Sequence, residues 1–307
     1  MSPTPALDRL KRLRHRDDPS VQRDLNWHDA AEVLPTSLSL QWLGTAGFAL
    51  SAEGTTILID PYLTRRDLRT TLRSSALASD RGLVERLVPR ADAVLVGHTH
   101  FDHAVDVPTV ASLHGCDVYG SPSLQHLMGL HSMADRAVVV DPHQRYEVGP
   151  FTFSFTPSVH SKLLFGLKVP AEGELTCDSL DHLGSGNYRC GRVWGITIEM
   201  GGATIYHQGS ANLVDDEIRA RDVDLFLCGI AGRMYTHDYI GRAMRRLRPR
   251  VVLAHHHDSF FEPVEAPMKF SFNVNLGGFA DDMSRFDPDI AVRTLEPMEA
   301  VGGGSGS

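Results

Sequence analysis

This chain of 307 residues has no long apolar run, no excess of basic charge and no paired-cysteine motif, and each absence excludes something. No stretch approaches the roughly 20 apolar residues of a membrane helix, so no membrane span is expected. The first residues, Met-Ser-Pro-Thr-Pro, are polar and run into charges without an apolar core, which fits a cytoplasmic protein with no secretory signal. Formal net charge is −8 and the pI is about 6.0. A duplex-binding face usually makes a domain basic, so no nucleic-acid partner is expected. The local exception, Arg9 to Arg16, reads as a solvated helix face. The four cysteines form no C-x-x-C pair. Cys116 and Cys228 sit in apolar surroundings as buried thiols, and Cys177 and Cys190 flank one loop and stay free in a reducing compartment. No G-x-S-x-G elbow offers a serine nucleophile, and no internal repeat divides the chain.

What remains is a chain with 42% hydrophobic residues and no composition break, expected to form one large α/β domain over residues 37–298. Residues 1–36 read as a helical extension, with Leu7, Leu10, Leu13, Val21 and Leu25 on apolar faces and Pro19 as a break. Such an extension covers a sheet edge or makes a homo-oligomer contact. Residues 299–307 end in Gly and Ser and read as a flexible tail outside the fold. Between them, strand patterns (Ser39–Leu43, Phe48–Leu50, Thr55–Asp60, Ala93–Val96, Val138–Val140, Phe151–Phe155, Val193–Glu199, Ala203–His207, Asp222–Leu227, Val251–Ala254) alternate with helical ones (Arg81–Val88, Val105–His114, Pro122–His131, Asp238–Leu247).

The densest chemistry follows the fourth of these strands. Val96-Gly-His-Thr-His-Phe-Asp-His103 places three imidazoles and a carboxylate in six residues after the apolar run Ala93–Val96. Imidazole is the commonest protein ligand for borderline divalent metals, and a carboxylate can complete or bridge such a site. His98 and His100 can point the same way from an extended segment, while Asp102 and His103, past the turn, can face a second position. That is the ligand spacing of a paired-metal site.

His98-Thr-His-Phe-Asp-His103 resembles the H-x-H-x-D-H motif of the metallo-β-lactamase superfamily, and the flanking sequence resembles its lactonase-like branch related to ascorbate-6-phosphate lactonase. The resemblance runs from about Leu38 to Leu295 and implies a four-layer αββα sandwich. It also implies further site residues. His160, in Pro157-Ser-Val-His-Ser161, matches the third histidine of a three-imidazole site with His98 and His100. His256, before the Asp258-Ser-Phe260 turn, matches the last metal ligand, with His255 and His257 flanking it. Asp60, in Asp60-Pro61, matches a carboxylate that supports the metal loop. Asp102 would orient or deprotonate the attacking water, and His256 would help stabilise the leaving group.

One position departs from the pattern. Where the family has a bridging aspartate, Ile205-Tyr-His-Gln-Gly-Ser210 supplies Ser210, whose neutral hydroxyl is a poor metal ligand. Three outcomes stay open: one metal on His98, His100 and His160; two metals, the second on Asp102, His103 and His256; or an altered, inactive site. His207, Gln208, Asp215 and Asp216 are nearby substitutes. The expected metal is Zn2+, one or two ions, with Mn2+ or Fe2+ fitting the same donors. Residues 161–192 form a lid-like insertion, whose Lys162 and Lys168 could meet an anionic substrate and whose Tyr188 could donate to an oxyanion. His237 is a further candidate for lining the pocket. The implied function is metal-dependent hydrolysis of a small ester, lactone or related acyl substrate. The alternatives are a phosphodiesterase acting on a lipid-like or nucleotide substrate, or a non-hydrolytic biosynthetic or binding member.

Overall fold

The computed structural model describes residues 18–28, 33–163, 166–271 and 274–302. The part of the N-terminal pattern that carries Leu7, Leu10 and Leu13 lies outside these residues. Two seven-stranded mixed sheets face each other. The first contains β1 (Leu38–Gly44), β2 (Gly47–Ala52), β3 (Thr55–Ile59), β4 (Ala93–Leu95), β5 (Asp117–Gly120), β6 (Ala137–Val139) and, on the other flank of β1, the C-terminal β14 (Ala300–Gly302). The second contains β7 (Arg145–Val148), β8 (Phe151–Ser158), β9 (Val193–Met200), β10 (Ala203–Gln208), β11 (Leu225–Gly229), β12 (Val251–His255) and β13 (Ala291–Arg293) in consecutive spatial order.

Three separate apolar cores explain the four layers. Strand side chains alternate faces with period two. In β11, Leu225 and Leu227 face the opposing sheet while Phe226 and Cys228 face outward. Val251 and Leu253 of β12 likewise point inward, and Val252 and Ala254 outward. The inner faces of both sheets share one core, in which Trp42, Phe153 and Trp194 are the bulky members. The outer face of the first sheet packs on the Arg81–Leu87, Val107–His114 and Pro122–Leu130 helices. That of the second packs on Tyr239–Leu247 and Leu276–Phe286. Both faces of each sheet are therefore covered, which is why the central strands read as continuous apolar runs. The four-layer αββα sandwich expected from the sequence is the fold observed.

The termini differ from expectation in instructive ways. The Asp18–Asp24 helix packs against Leu276–Phe286, and Asn26 bridges Thr294 beyond the end of β13. The described part of the extension thus lies along the edge of the second sheet. Trp27 and Leu34 enter the inter-sheet core. At the other end, the tail does not begin at residue 299. Ala300, Val301 and Gly302 pair with Gln41, Leu40 and Ser39, and Val301 is buried. A backbone ladder needs no side-chain pattern beyond one apolar residue, so a Val-Gly sequence can close a sheet edge.

Candidate metal centre

The buried run Ala93–Leu95 ends at Val96-Gly97, and the chain turns at His98 and His100 into a one-turn helix, Phe101–Ala104. The extended backbone at His100 (φ −62°, ψ 154°) lets it share a side with His98. His98 Nε2 lies 3.1 Å from His100 Nδ1. The His160 ring, just past β8, stands edge-on to both, with centroids 4.9 and 4.7 Å away. The next turn supplies a second group: Asp102, His103 and His256 offer ligand atoms all within 4.8 Å of one another. The His98 and His103 rings, 3.7 Å apart, join the two groups.

The run of three histidines is resolved by one backbone angle. His255 ends β12 on its inward face, and His256 then adopts a left-handed φ of 61°, held by its N–H donating to Thr45 O at 2.9 Å. The left-handed turn aims His256 at the cavity, where its Nε2 is 3.4 Å from Asp102 Oδ2. His255 and His257 stay buried behind it.

Carbonyl and carboxylate oxygens only accept hydrogen bonds, so their contacts fix which ring nitrogen is bare. His100 Nε2 donates to Pro170 O at 2.9 Å, and His160 Nδ1 donates to Ser161 O at 2.6 Å. His103 Nδ1 donates to Asp60 Oδ2 at 2.8 Å. His100 and His160 keep a lone pair on the other nitrogen, and the contact with Asp60 fixes the orientation of the His103 ring, as such supporting bonds do for metal ligands. Asp60 is in turn held by Gly97 N–H at 2.7 Å. A Cβ at Gly97 or Gly209 would sit within 3.0 Å of Asp60 Oδ2, so both positions require the smallest residue.

The electrostatics favour a cation. Burial first, then the neighbouring imidazoles, push His98 well below the ordinary histidine value. Burial takes His100 down to about 4 and His160 to about 3. All three are neutral bases at pH 7. Burial acts to raise the Asp102 carboxyl, but His103 and then His256 outweigh it and hold it far below the carboxylate range. Burial acts to lower His103, yet Asp60 and Asp102 raise it. The buried Nδ1 atoms of His98 and His256 have no hydrogen-bond partner. His98 Nε2 and His100 Nδ1, 3.1 Å apart, share one hydrogen bond, and with the Asp102, His103 and His256 group beside them they supply a donor set that fits a divalent cation.

Not every expected residue reaches this place. Ser210 does line the cavity; its Oγ accepts the Ser161 N–H at 2.9 Å, which leaves its own O–H free to donate. Tyr188 does not line it. Its ring is buried in the core beneath the helices of the first sheet, where an aromatic side chain is most stable. Lys162 and His237 are exposed and lie outside the cavity wall. Lys168 is exposed too. Asp215 is occupied by Arg242 at 2.5 Å, and Asp216 by Arg246 at 2.7 Å. His207 is buried behind the site and donates to Ala46 O at 3.0 Å, and Gln208 donates to Ser158 Oγ at 3.0 Å. The insertion does supply wall residues, namely Ser161, Leu163, Pro170, Ala171 and Ser185.

Several contributors had no motif. Cys190 brings its sulfur within 4.8 Å of ligand atoms of His98 and His100, with its thiol pushed up to about 12 by burial. Arg65 pairs with Asp258 at 2.8 Å, both fully buried, and Asp258 also accepts the Thr45 N–H at 3.0 Å. This brace carries the turn that positions His256. Asp106 accepts from Leu63 N, Thr64 N, Thr64 Oγ1 and Ser79 Oγ, and so ties the segment after β3 to the metal loop. Such buried acids look like solvated charge in a sequence.

Comparison with known proteins agrees with the geometry. The family model described as "Beta-lactamase superfamily domain" matches residues 39–256. A UPF0173 metal-dependent hydrolase of Carboxydothermus hydrogenoformans is 26% identical over 269 residues, covering 86% of this chain and 99% of its own. A protein of the same description from Archaeoglobus fulgidus is 23% identical and covers 86% and 98%. Among solved structures, Igni18, a metallo hydrolase from Ignicoccus hospitalis, superposes with a TM-score of 0.52 at 19% identity, covering 86% of this chain and 97% of that one. CmlA, a diiron β-hydroxylase from Streptomyces venezuelae, gives 0.54 at 17% identity, covering 88% of this chain and 55% of that one. At these identities the two structures speak for the fold alone. With the matched model spanning most of the sandwich and its metal loop, the chain belongs to the β-lactamase superfamily.

Proposed function

We propose that this metal-dependent hydrolase cleaves a small ester, lactone or related acyl compound, and that His98, His100 and His160, with Asp102, His103 and His256 beside them, are its metal ligands. The observation that carries the reading is the convergence of His100, His160, His256 and Asp102 on a single cavity of about 200 Å³, with His98 and His103 packed directly against them. A divalent ion bound there supplies a Lewis acid and makes water acidic enough to ionise near neutral pH. Zinc suits the imidazole-rich set, with manganese or iron fitting the same donors.

The chain's own residues supply the rest. Asp102 stays ionised and accepts a proton from the attacking water. The water oxygen bonds to the acyl carbon, the carbon–oxygen bond to the leaving group breaks, and the proton ends on the departing alkoxide. His256, against Asp102, sits where it can steady that oxygen. The Ser210 hydroxyl can donate to the carbonyl oxygen. Asp60 keeps His103 in one tautomer and orientation. The free cysteines suit a reducing, cytoplasmic setting.

Phosphodiester hydrolysis is less well supported, because no lysine or arginine lines the cavity among the described residues. A non-hydrolytic role finds support in Ser210, which removes one negative charge from the second metal position. Purified protein assayed on lactones and aryl esters, and on a chromogenic phosphodiester, decides among the three. Metal-dependent turnover of the acyl compounds is expected. Turnover of the phosphodiester alone, or inert metal-loaded protein, would overturn the reading.

A further inference from the structure

The wall of the cavity narrows the substrate class. Above the histidine floor stand Phe101, Phe260, Phe261, Leu72 and Leu163, with Pro170, Ala171 and Ala231 between them. Among the described lining residues Asp102 is the one Asp, Glu, Lys or Arg, and it belongs to the floor. Along the wall, away from the floor, an anionic group on the substrate chain would meet no lysine or arginine among the described lining residues and would lose its hydration uncompensated.

The aromatic wall is braced rather than loose. Phe260 and Phe261 rings are 4.4 Å apart, and Phe260 stands 6.4 Å from Phe101 and 5.8 Å from His256. Tyr62 Oη donates to Phe260 O at 3.0 Å, and Arg65 Nη1 donates to Ser259 O at 3.2 Å. The wall thus reaches down to the candidate ligand His256 with fixed backbone.

The rim continues the apolar surface into solvent. Leu72 lines the cavity yet is 69% exposed, and Leu68, one turn earlier on the same helix, is 49% exposed. An exposed leucine in the wall of a cavity, with a second one turn away on the same helix, marks a binding surface more than scattered single ones do.

We propose that this cavity binds an uncharged substrate with an apolar alkyl or aryl chain, laid along Phe101, Phe260, Phe261 and Leu72, so that its carbonyl rests on the histidine floor. The chemistry at the floor rests on the hydrolase reading, whereas the binding does not. Leu72 and Phe261 are the specificity-determining residues, at the outer end of the wall.

The test uses the full chain as purified and two probe series. γ-Butyrolactone, γ-octalactone and γ-decalactone report turnover, and the corresponding γ-lactams, which resist hydrolysis, report binding by calorimetry. Lactam affinity should rise about two- to fourfold per added methylene, as burial of a methylene predicts. Phe261→Ala and Leu72→Asp should each flatten that slope. A lactam of equal chain length that carries a carboxylate at the far end of the chain should bind more weakly than the plain lactam. A flat or falling series in the wild type, or tighter binding of the chain-end carboxylate, would overturn the proposal whether or not the variants fold. Graded lactam binding without lactone turnover would leave this proposal standing and remove the hydrolase reading. Lactone turnover without chain-length dependence would do the reverse.

Discussion

His255, His256 and His257 are consecutive and chemically identical, yet they belong to two regions with opposite demands. On the cavity floor, His256 joins His100 and His160, with His98 and His103 packed against them, and His98 Nε2 meets His100 Nδ1 at 3.1 Å. Behind the floor, His255 stacks on His207 with centroids 5.0 Å apart, and both meet the edge of Phe48. His257 stacks near Trp42 and Phe270, and its Nε2 meets Gln22 Oε1 at 2.9 Å. The rear imidazoles act as flat core residues with one tether to the chain. Residue type sets neither job. The direction of the side chain does, and a single left-handed residue sets the direction.

The largest predicted effect blurs the comparison, because both regions share it. In metal-free protein the buried imidazoles sit far below an unfolded value near 6.5: His100, His207 and His257 fall to about 4 and His160 to about 3, all through burial first. The unfolded chain therefore binds more protons between those values. Stability is fully present above about pH 6.5 and falls as pH drops toward 4, by about 1.4 kcal/mol per pH unit for each such histidine. Thermal melts of the chelated protein should show a steep loss below pH 6.5. A stability flat from pH 7 to pH 5 would contradict the assigned neutral state.

Separating the regions should be nearly as marked. His100→Ala is expected to reduce turnover on the order of a thousandfold. His257→Asn should leave turnover within about tenfold and act on stability, through the lost Gln22 contact. Equal losses in activity would mean that the rear layer is catalytic after all. Arg65→Met should cost about 3–5 kcal/mol in chemical denaturation, since it strands Asp258 in a buried site. A loss below about 1 kcal/mol would show that the brace behaves as an exposed pair. Asp60→Asn, which weakens the hold on His103, should lower metal affinity by about ten- to a hundredfold in competition with a chelator. An unchanged affinity would place Asp60 outside the site's support.

Much of this was legible in the sequence because the signals were periodic or dense. Strand and helix patterns pointed to an α/β domain, and the resemblance carried by His98 to His103 implied the sandwich and pointed to the metal loop. The Asp258-Ser-Phe260 turn pointed to His256 rather than its neighbours. The insertion resisted reading for a physical reason: without a period, nothing in Tyr188 or Lys162 says which way each side chain points. Tyr188 followed its ring into the core, and Lys162 followed its charge into water. The edge strand at Val301 was hidden because its contribution is made by backbone groups. Phe260-Phe261, beside a polar histidine run, was the overlooked hint of an apolar wall.

Metal content per chain tests the central claim most directly. It should be measured by elemental analysis on the wild type, His98→Ala, His255→Asn and Ser210→Asp, all purified without added metal or chelator. The wild type and His255→Asn should hold the same tightly bound divalent metal, His98→Ala should lose it, and Ser210→Asp should hold at least as much as the wild type. Metal absent from the wild type, or lost equally from His255→Asn and His98→Ala, would contradict the division between cavity floor and rear layer.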